Sequence, residues 1–339
     1  MSIYAHKFLI HQRKTYLRIV IKKSKSRGSI TKIATFMIID PLILNEFIIK
    51  NKEILRPKFP EPKKSGKVGR PRIAKFWVLA AVCVFSRANN ITWEDLPPKL
   101  RLCNFLIDDG YFIEIPSKST FHRAWQKINL KNIESWIKLL GYQSSKELES
   151  LTVDSSGFEK RTGSNWRFVK WQGSFLKKSS NLFQKIHMAV ALPSRAIVGI
   201  HISNVNMFDS KAFGPLILKT YKRVLKKCKK LYADKAYWDE KILGWCYQEG
   251  ITPVIPCKKN SKINGIHDFM DHQVRYQKRH PGIYRKNTQN YKRAEVEHVF
   301  GEIKLQHVII RDLKKDNKEK SLLSSFLWYN HKNYLRRLK

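Results

Sequence analysis

The chain has 339 residues and sets 66 lysines and arginines against 27 aspartates and glutamates, a formal charge of +39. With 42% apolar residues it can bury a sizeable core and is too hydrophobic for extended disorder. Its longest apolar run, FWVLAAVCVFS at 76–86, is too short to cross a bilayer, and its five cysteines contain no CxxC pair, which argues against a disulfide framework or a structural zinc site.

The positive charge is not confined to one tail, since lysine and arginine recur from Lys7 to Lys339. A field of that extent attracts polyanions, nucleic acid first among them. No signal-peptide core shows at the N-terminus, so a cytoplasmic, nucleoid-associated protein without membrane attachment is expected.

Residues 1–50 are basic and hydrophobic without clear periodicity. From 51 to 72 the composition shifts to Lys, Pro and Gly and ends in KKSGKVGRPR, which reads as a solvated linker; 1–72 is therefore a basic N-terminal segment plus linker. Within it, Gly69-Arg70-Pro71-Arg72 resembles the core of an AT-hook, whose extended arginines enter a narrow minor groove, with Arg70 and Arg72 as the contacts. Equally, Pro71 could open the next helix at its first turn.

Residues 73–145 read as a mainly helical DNA-binding domain. IAKFWVLAAVCVFSRA is a buried helix, and Thr92 caps a short one. In PSKSTFHRAWQKI, Ser117 or Ser119 is the cap and Phe121, Trp125 and Ile128 form an apolar stripe. Lys118, His122, Arg123 and Gln126 are left outward, as the recognition helix of a helix-turn-helix would place them. An ordinary amphipathic helix would show the same pattern.

From 151 the period changes. LTVD is a strand ending on Asp154, after which Ser155, Ser156 and Gly157 are expected to leave the sheet. FQKIHMAVAL and AIVGIHIS form a hairpin around Pro193-Ser194-Arg195. SKAFGPLILKTYKRVLKKC is one helix, KKLYADKAY a strand ending on Asp234, WDEKILGWCYQEG a helix closed by Gly250, and ITPVIP a further strand. A basic segment, 257–292, precedes a last helical stretch, RAEVEHVFGEIK at 293–304. This is the element order of an α/β, ribonuclease-H-like catalytic domain with a mixed sheet, 146–339, preceded by the helix-turn-helix-like domain.

If the two aspartate-bearing strands are neighbours, Asp154 and Asp234 meet at the sheet rim, where like charges are costly without a cation between them. Oxygen ligands of this kind suit Mg²⁺ or Mn²⁺. At about 100° per residue, Arg293, Glu297, Gly301 and Lys304 share one face of the last helix, while Val296, Val299, Phe300 and Ile303 form its apolar stripe. Glu295 and Glu302 point away, so Glu297 is the candidate third ligand.

These pieces together resemble the catalytic domain of DDE transposases from prokaryotic insertion sequences. LTVDSSGF around Asp154, LYADKAYWDE around Asp234, and Arg293, Glu297 and Lys304 at the family's signature spacing carry the resemblance. KIHMAV, with Lys185 and His187, resembles the family's second strand and adds Lys185 to the expected DNA contacts. One departure stands out: the family's tyrosine three residues before the arginine is Asn290 here, with Tyr291 beside it. Residues 235–296 leave room for at most a small insertion before Glu297.

The resemblance implies a transposase that binds the terminal inverted repeats of its element and the target DNA, as a homodimer on paired ends. It implies metal-dependent strand cleavage and strand transfer by two Mg²⁺ ions, with Mn²⁺ able to serve, held by Asp154, Asp234 and Glu297. Arg293 and Lys304 would grip end phosphates, and Trp166, Trp171, Trp238 and Trp245 are candidate stacking platforms for an unpaired base. Two rivals remain. One is a catalytically inactive, transposase-derived DNA-binding protein, which the displaced tyrosine favours; the other is a nuclease of RNA–DNA hybrids, which the long N-terminal domain disfavours.

Overall fold

A five-stranded mixed sheet in the order β3-β2-β1-β4-β5 frames the computed structural model, which describes residues 39–61, 73–159, 183–263, 265, 268–306 and 314–338. β1 (Ser150–Glu159), β2 (Phe183–Leu192) and β3 (Ala196–Ser203) form an antiparallel meander; β4 (Lys230–Ala233) and β5 (Thr252–Val254) add in parallel on the far side of β1. The hairpin and the α/β order expected from the sequence are present, and the fold is the ribonuclease-H-like one.

Helices from before and after the strands cover the two faces. In the N-terminal part lie α1 (Pro41–Lys58), α2 (Phe76–Ala88), α3 (Leu96–Leu100), α4 (Phe105–Asp108), α5 (Lys118–Lys127) and α6 (Leu130–Gln143). The sheet region holds α7 (Asp209–Lys219), α8 (Lys222–Leu225), α9 (Glu240–Gln248), α10 (Asp268–Arg279), α11 (Pro281–Thr288), α12 (Glu295–Leu305) and α13 (Lys315–Leu338). On one sheet face, Ile186, Met188, Val190, Ile197, Ile200 and Tyr232 join a core that also takes in α1, α2, α5, α6, α12 and α13. On the other, Leu151, Val153, Ala189, Ala191 and Leu231 pack against α7, α8 and α9. The alternation of strand side chains splits the apolar residues between these two layers.

Four sequence expectations are corrected. The solvated linker does not begin at 51: α1 continues to Lys58, burying Leu44, Phe47, Ile48, Asn51, Ile54 and Leu55 at helical spacing, with Asp40 capping its start through the Leu42 amide at 2.9 Å. α2 starts at Phe76, so Pro71 does not open it. β1 does not end at Asp154, because β2 pairs with it throughout, from Ser150↔Leu192 to Glu159↔Phe183. The long helix after β3 is two: Thr220 turns its hydroxyl back to the Leu216 carbonyl (2.9 Å), and the Tyr221 amide bonds Val198 of β3 (3.0 Å) instead of continuing the helix. Arg70, Arg72, Trp166 and Trp171 lie outside the described residues.

α13, which the sequence reading left unassigned, ties the layers together with buried polar side chains. Asn330 accepts from the Ile197 amide (2.8 Å) and donates to the carbonyls of Ile197 (2.8 Å) and Ile137 (2.9 Å), linking β3 to α6. Lys320, also buried, donates to the carbonyls of Trp125 (2.7 Å) and Ile128 (3.2 Å) at the C-terminal end of α5, where a cation complements the helix dipole. Asn51 contacts the His331 ring at 3.2 Å and accepts from the Trp136 indole at 2.7 Å. Helices of the region 73–145 thus share one core with the sheet.

The approach of α6 to β3 depends on Gly141, where an added Cβ would lie 2.0 Å from the Ile197 carbonyl oxygen. Backbone cannot yield there as a flexible side chain would. Gly141→Ala is expected to cost about 1–3 kcal/mol through overpacking, read as a lowered Tm in thermal unfolding; an unchanged Tm would show that α6 can lift off the sheet.

Candidate active site

The parallel pairing of β1 with β4 stops at Val153↔Ala233, so the next residues of the two strands, Asp154 and Asp234, stand beside each other where β4 ends. β1 runs on past that point with only β2 as neighbour. Asp234 leaves the sheet and caps a turn, Lys235–Tyr237, its carboxylate accepting from the Lys235 amide at 2.7 Å.

α12 brings the remaining candidates. Val296, Val299, Phe300 and Ile303 are buried as expected, and Glu297, Gly301 and Lys304 are exposed along one face. The other two glutamates are accounted for elsewhere: Glu295 binds Arg195 at 2.6 Å and Glu302 binds Arg336 at 3.2 Å. A Cβ at Gly301 would meet nothing within 4 Å, so that face is open. Arg293 departs from expectation. It is not on the α-helix but in a 3₁₀ turn, Asn290–Ala294, that precedes it, so the shared-face arithmetic does not apply to it. Its guanidinium nevertheless reaches Asp234 at 3.0 Å, and its carbonyl accepts from Thr152 of β1 at 3.2 Å. Lys304 donates to the Ser156 hydroxyl at 2.6 Å and lies over the Phe158 ring. The displaced aromatic, Tyr291, is exposed, whereas Asn290 is half-buried with an unbonded side-chain oxygen.

Asp154 carries the electrostatic load of the site. Burial pushes its carboxyl up to about 7, and the negative charges of Asp209, Asp234 and Glu297 push in the same direction against a hydrogen bond from the Ser155 backbone. Tyr237 is fully buried, its hydroxyl has no hydrogen-bond partner, and burial together with Asp209, Asp154 and Asp234 raises its phenol well above the usual range. Carboxylates gathered where their charge is penalised, beside an unsatisfied phenol, are the donor chemistry of a hard divalent cation. Among the described residues, however, no three His, Cys, Asp or Glu side chains are close enough together to hold a metal, and Asp234 is paired with Arg293.

Asp209 is the residue that sequence reasoning missed. It sits at the start of α7, far from either aspartate motif, and its carboxylate takes Lys185 at 2.8 Å and the Ser155 hydroxyl at 2.7 Å. Only the pairing of β1 with β2, which sets Ser155 beside His187, brings the three together. Burial works to raise the Asp209 carboxyl, but the bonds from Lys185 and Ser155 hold it below its ordinary range. Lys185 is thereby corrected from DNA contact to buried counter-charge, also donating to the Met207 carbonyl at 2.8 Å. Trp238 is buried and presents no open stacking face, whereas Trp245 is half-buried in a T-shaped contact with Phe213. Lys118, His122, Arg123 and Gln126 are all exposed on α5, and its buried side is Phe121, Ala124 and Trp125. All five cysteines are free thiols, and no described helix is long and apolar enough to cross a membrane.

Among known families, the model of the transposase DDE domain matches residues 146–330. That span is more than half of the chain and includes every candidate carboxylate, and the chain belongs to the transposase DDE domain family. No curated protein matches the chain.

A carboxyl whose folded-state value is raised binds its proton more tightly folded than unfolded, so Asp154 costs stability as pH rises from about 4 through about 7. In metal-free protein, Asp154→Asn should remove that loss, a gain on the order of 1–4 kcal/mol at pH 8 and little at pH 4. Thermal unfolding of both forms at the two pH values checks this; equal stability at pH 8 would mean that Asp154 is ionised there without penalty.

Proposed function

We propose that this member of the transposase DDE domain family binds the inverted-repeat ends of its own element and cleaves and rejoins DNA strands with Asp154, Asp234 and Glu297. One observation carries the reading: the β1–β4 pairing sets the two aspartates side by side, and Glu297 on α12 is near enough to act electrostatically on Asp154. Charge supports it as well, since phosphate neutralisation by so basic a chain gives strong, salt-dependent DNA affinity.

The three carboxylates would hold Mg²⁺, two ions by the family's pattern, or Mn²⁺. Once bound, such ions polarise a phosphodiester and offset the negative charge that develops during its displacement. The chain's own residues position the strand. Arg293, now on Asp234, offers a planar fork suited to a phosphate, and Lys304, near the C-terminal end of α12, a point charge. Exchange of Asp234 for a DNA phosphate at Arg293 would free that carboxylate to approach Asp154. Region 73–145 would recognise the element end through Lys118, His122, Arg123 and Gln126 on α5, with Arg70 and Arg72 in the adjacent minor groove. A homodimer would hold paired ends, each protomer engaging terminal-repeat and target DNA.

The test is Mg²⁺-dependent nicking of a plasmid that carries the DNA flanking the gene. Asp154→Asn, Asp234→Asn and Glu297→Gln should each abolish nicking and leave DNA binding intact, while Glu295→Gln and Glu302→Gln should stay within about twofold of wild type, as exposed ion pairs are worth little. Equal damage from the latter pair would sink the assignment of Glu297. A wild-type chain that binds this DNA but never nicks it would support the inactive DNA-binding rival.

Arg293→Lys and Lys304→Ala should slow single-turnover nicking roughly ten- to a hundredfold, the loss of one charge-assisted contact. Overall affinity should barely change, because many other cations sustain it. For end recognition the full chain is needed, since α5 packs on α13. Arg123→Ala with Gln126→Ala should lower affinity for the flanking repeat towards that for scrambled DNA at raised salt; an unchanged preference would assign α5 to packing alone.

A further inference from the structure

Two serines follow Asp154 in β1, and they are held from opposite faces of the sheet. Successive strand side chains alternate, so Asp154 and Ser156 share one face and Ser155 takes the other. Ser156 accepts from Lys304 of α12 at 2.6 Å. Ser155 donates to Asp209 of α7 at 2.7 Å, and that same Asp209 oxygen takes Lys185 of β2 at 2.8 Å. His187, directly opposite Ser155, approaches Asp209 at 3.6 Å and is held neutral by burial and the nearby Lys185, its Nε2 paired with the Ser203 hydroxyl at 2.8 Å.

This arrangement occurs just where β1 needs support. β4 stops opposite Val153, so from Asp154 onward the strand has lost its parallel neighbour and keeps only β2. A strand paired on one side can twist or shift, and a small displacement of a reacting carboxylate is expensive in rate. Asp209 replaces part of the lost constraint. It fixes residue 155 against α7, and Lys185 offsets part of its charge, the remainder of which still bears on Asp154.

We propose that Asp209, with Lys185 as its counter-ion, is a positioning residue for Asp154, acting through the Ser155 hydroxyl from the opposite face of the sheet. The proposal rests on the cleavage reading above but concerns a different side chain and a different face. Asp209 need not touch DNA or metal. Its effect is transmitted by one hydrogen bond to the backbone unit that carries Asp154.

Ser155→Ala removes that bond and leaves the Asp209–Lys185 pair intact, so it should fold normally. In the full chain it should reduce single-turnover plasmid nicking roughly ten- to a hundredfold and weaken Mn²⁺ binding, followed by electron paramagnetic resonance, with Tm and DNA affinity unchanged. Ser155→Thr, which keeps the hydroxyl, should restore both readouts. Asp209→Ala also leaves the buried Lys185 without its counter-ion and should lower Tm. At a temperature where it stays folded it should show at least the nicking and Mn²⁺-binding losses of Ser155→Ala, and the double variant should be no slower than Asp209→Ala alone, because Ser155 acts only through Asp209. Normal nicking and normal Mn²⁺ binding by Ser155→Ala, or effects that multiply in the double variant, would overturn the proposal while the cleavage reading stood. An unmodified chain that neither nicks nor binds Mn²⁺ would overturn the cleavage reading, and this proposal with it.

Discussion

Crowded negative charge at the end of one short strand is the constraint on which the candidate site depends. Asp209, Asp234 and Glu297 all act on Asp154, where burial already opposes ionisation. In water such repulsion would be slight, but withdrawal from solvent strengthens it. The protein answers with cations placed one by one: Lys185 on Asp209, and Arg293 on Asp234. No cation is paired with Asp154 among the described residues, and burial together with the neighbouring carboxylates raises its carboxyl.

The fold produces that crowding through strand length. β4 has four residues and β1 has ten. Because the parallel pairing ends early, two carboxylates emerge side by side at an edge, while the remainder of β1 stays anchored to β2. A longer β4 would cover Asp154 with backbone; a shorter β1 would leave Ser155 and Ser156 without a fixed position. The helix after the sheet then needs only its apolar stripe, Val296, Val299, Phe300 and Ile303, to present Glu297 and Lys304 toward the same edge.

Integration with the N-terminal helices comes from α13. Its Lys320 terminates α5, its Asn330 stitches β3 to α6, and its His331 joins Asn51 and Trp136 in a buried polar set. Buried polar groups of this kind specify geometry, since each left unpaired costs on the order of 1–3 kcal/mol. The exposed basic face of α5 is therefore mechanically continuous with the sheet that carries the carboxylates. A load applied by DNA on one would be borne by the other.

Local chemistry in the sequence was sufficient for the order of the strands along the chain, the hairpin, the buried face of α12 and the separation of Glu297 from Glu295 and Glu302 around that helix. Each rests on periodicity within a short window, and periodicity survives folding. The aspartate motifs and the arginine–glutamate–lysine spacing were legible through their resemblance to the family. What the sequence misplaced or missed depends on partners distant in the chain. β1 outlasts Asp154 because β2 is long enough to pair with it; Arg293 stands before the helix because its turn packs against Thr152; α1 takes in residues 51–58 of the supposed linker because a shared core receives its apolar face. Lys185 reads alone as a DNA-binding base, and nothing local marks Asp209. Only the tertiary pairing of strands and α7 brings them into contact, where each, withdrawn from solvent, needs the other's charge.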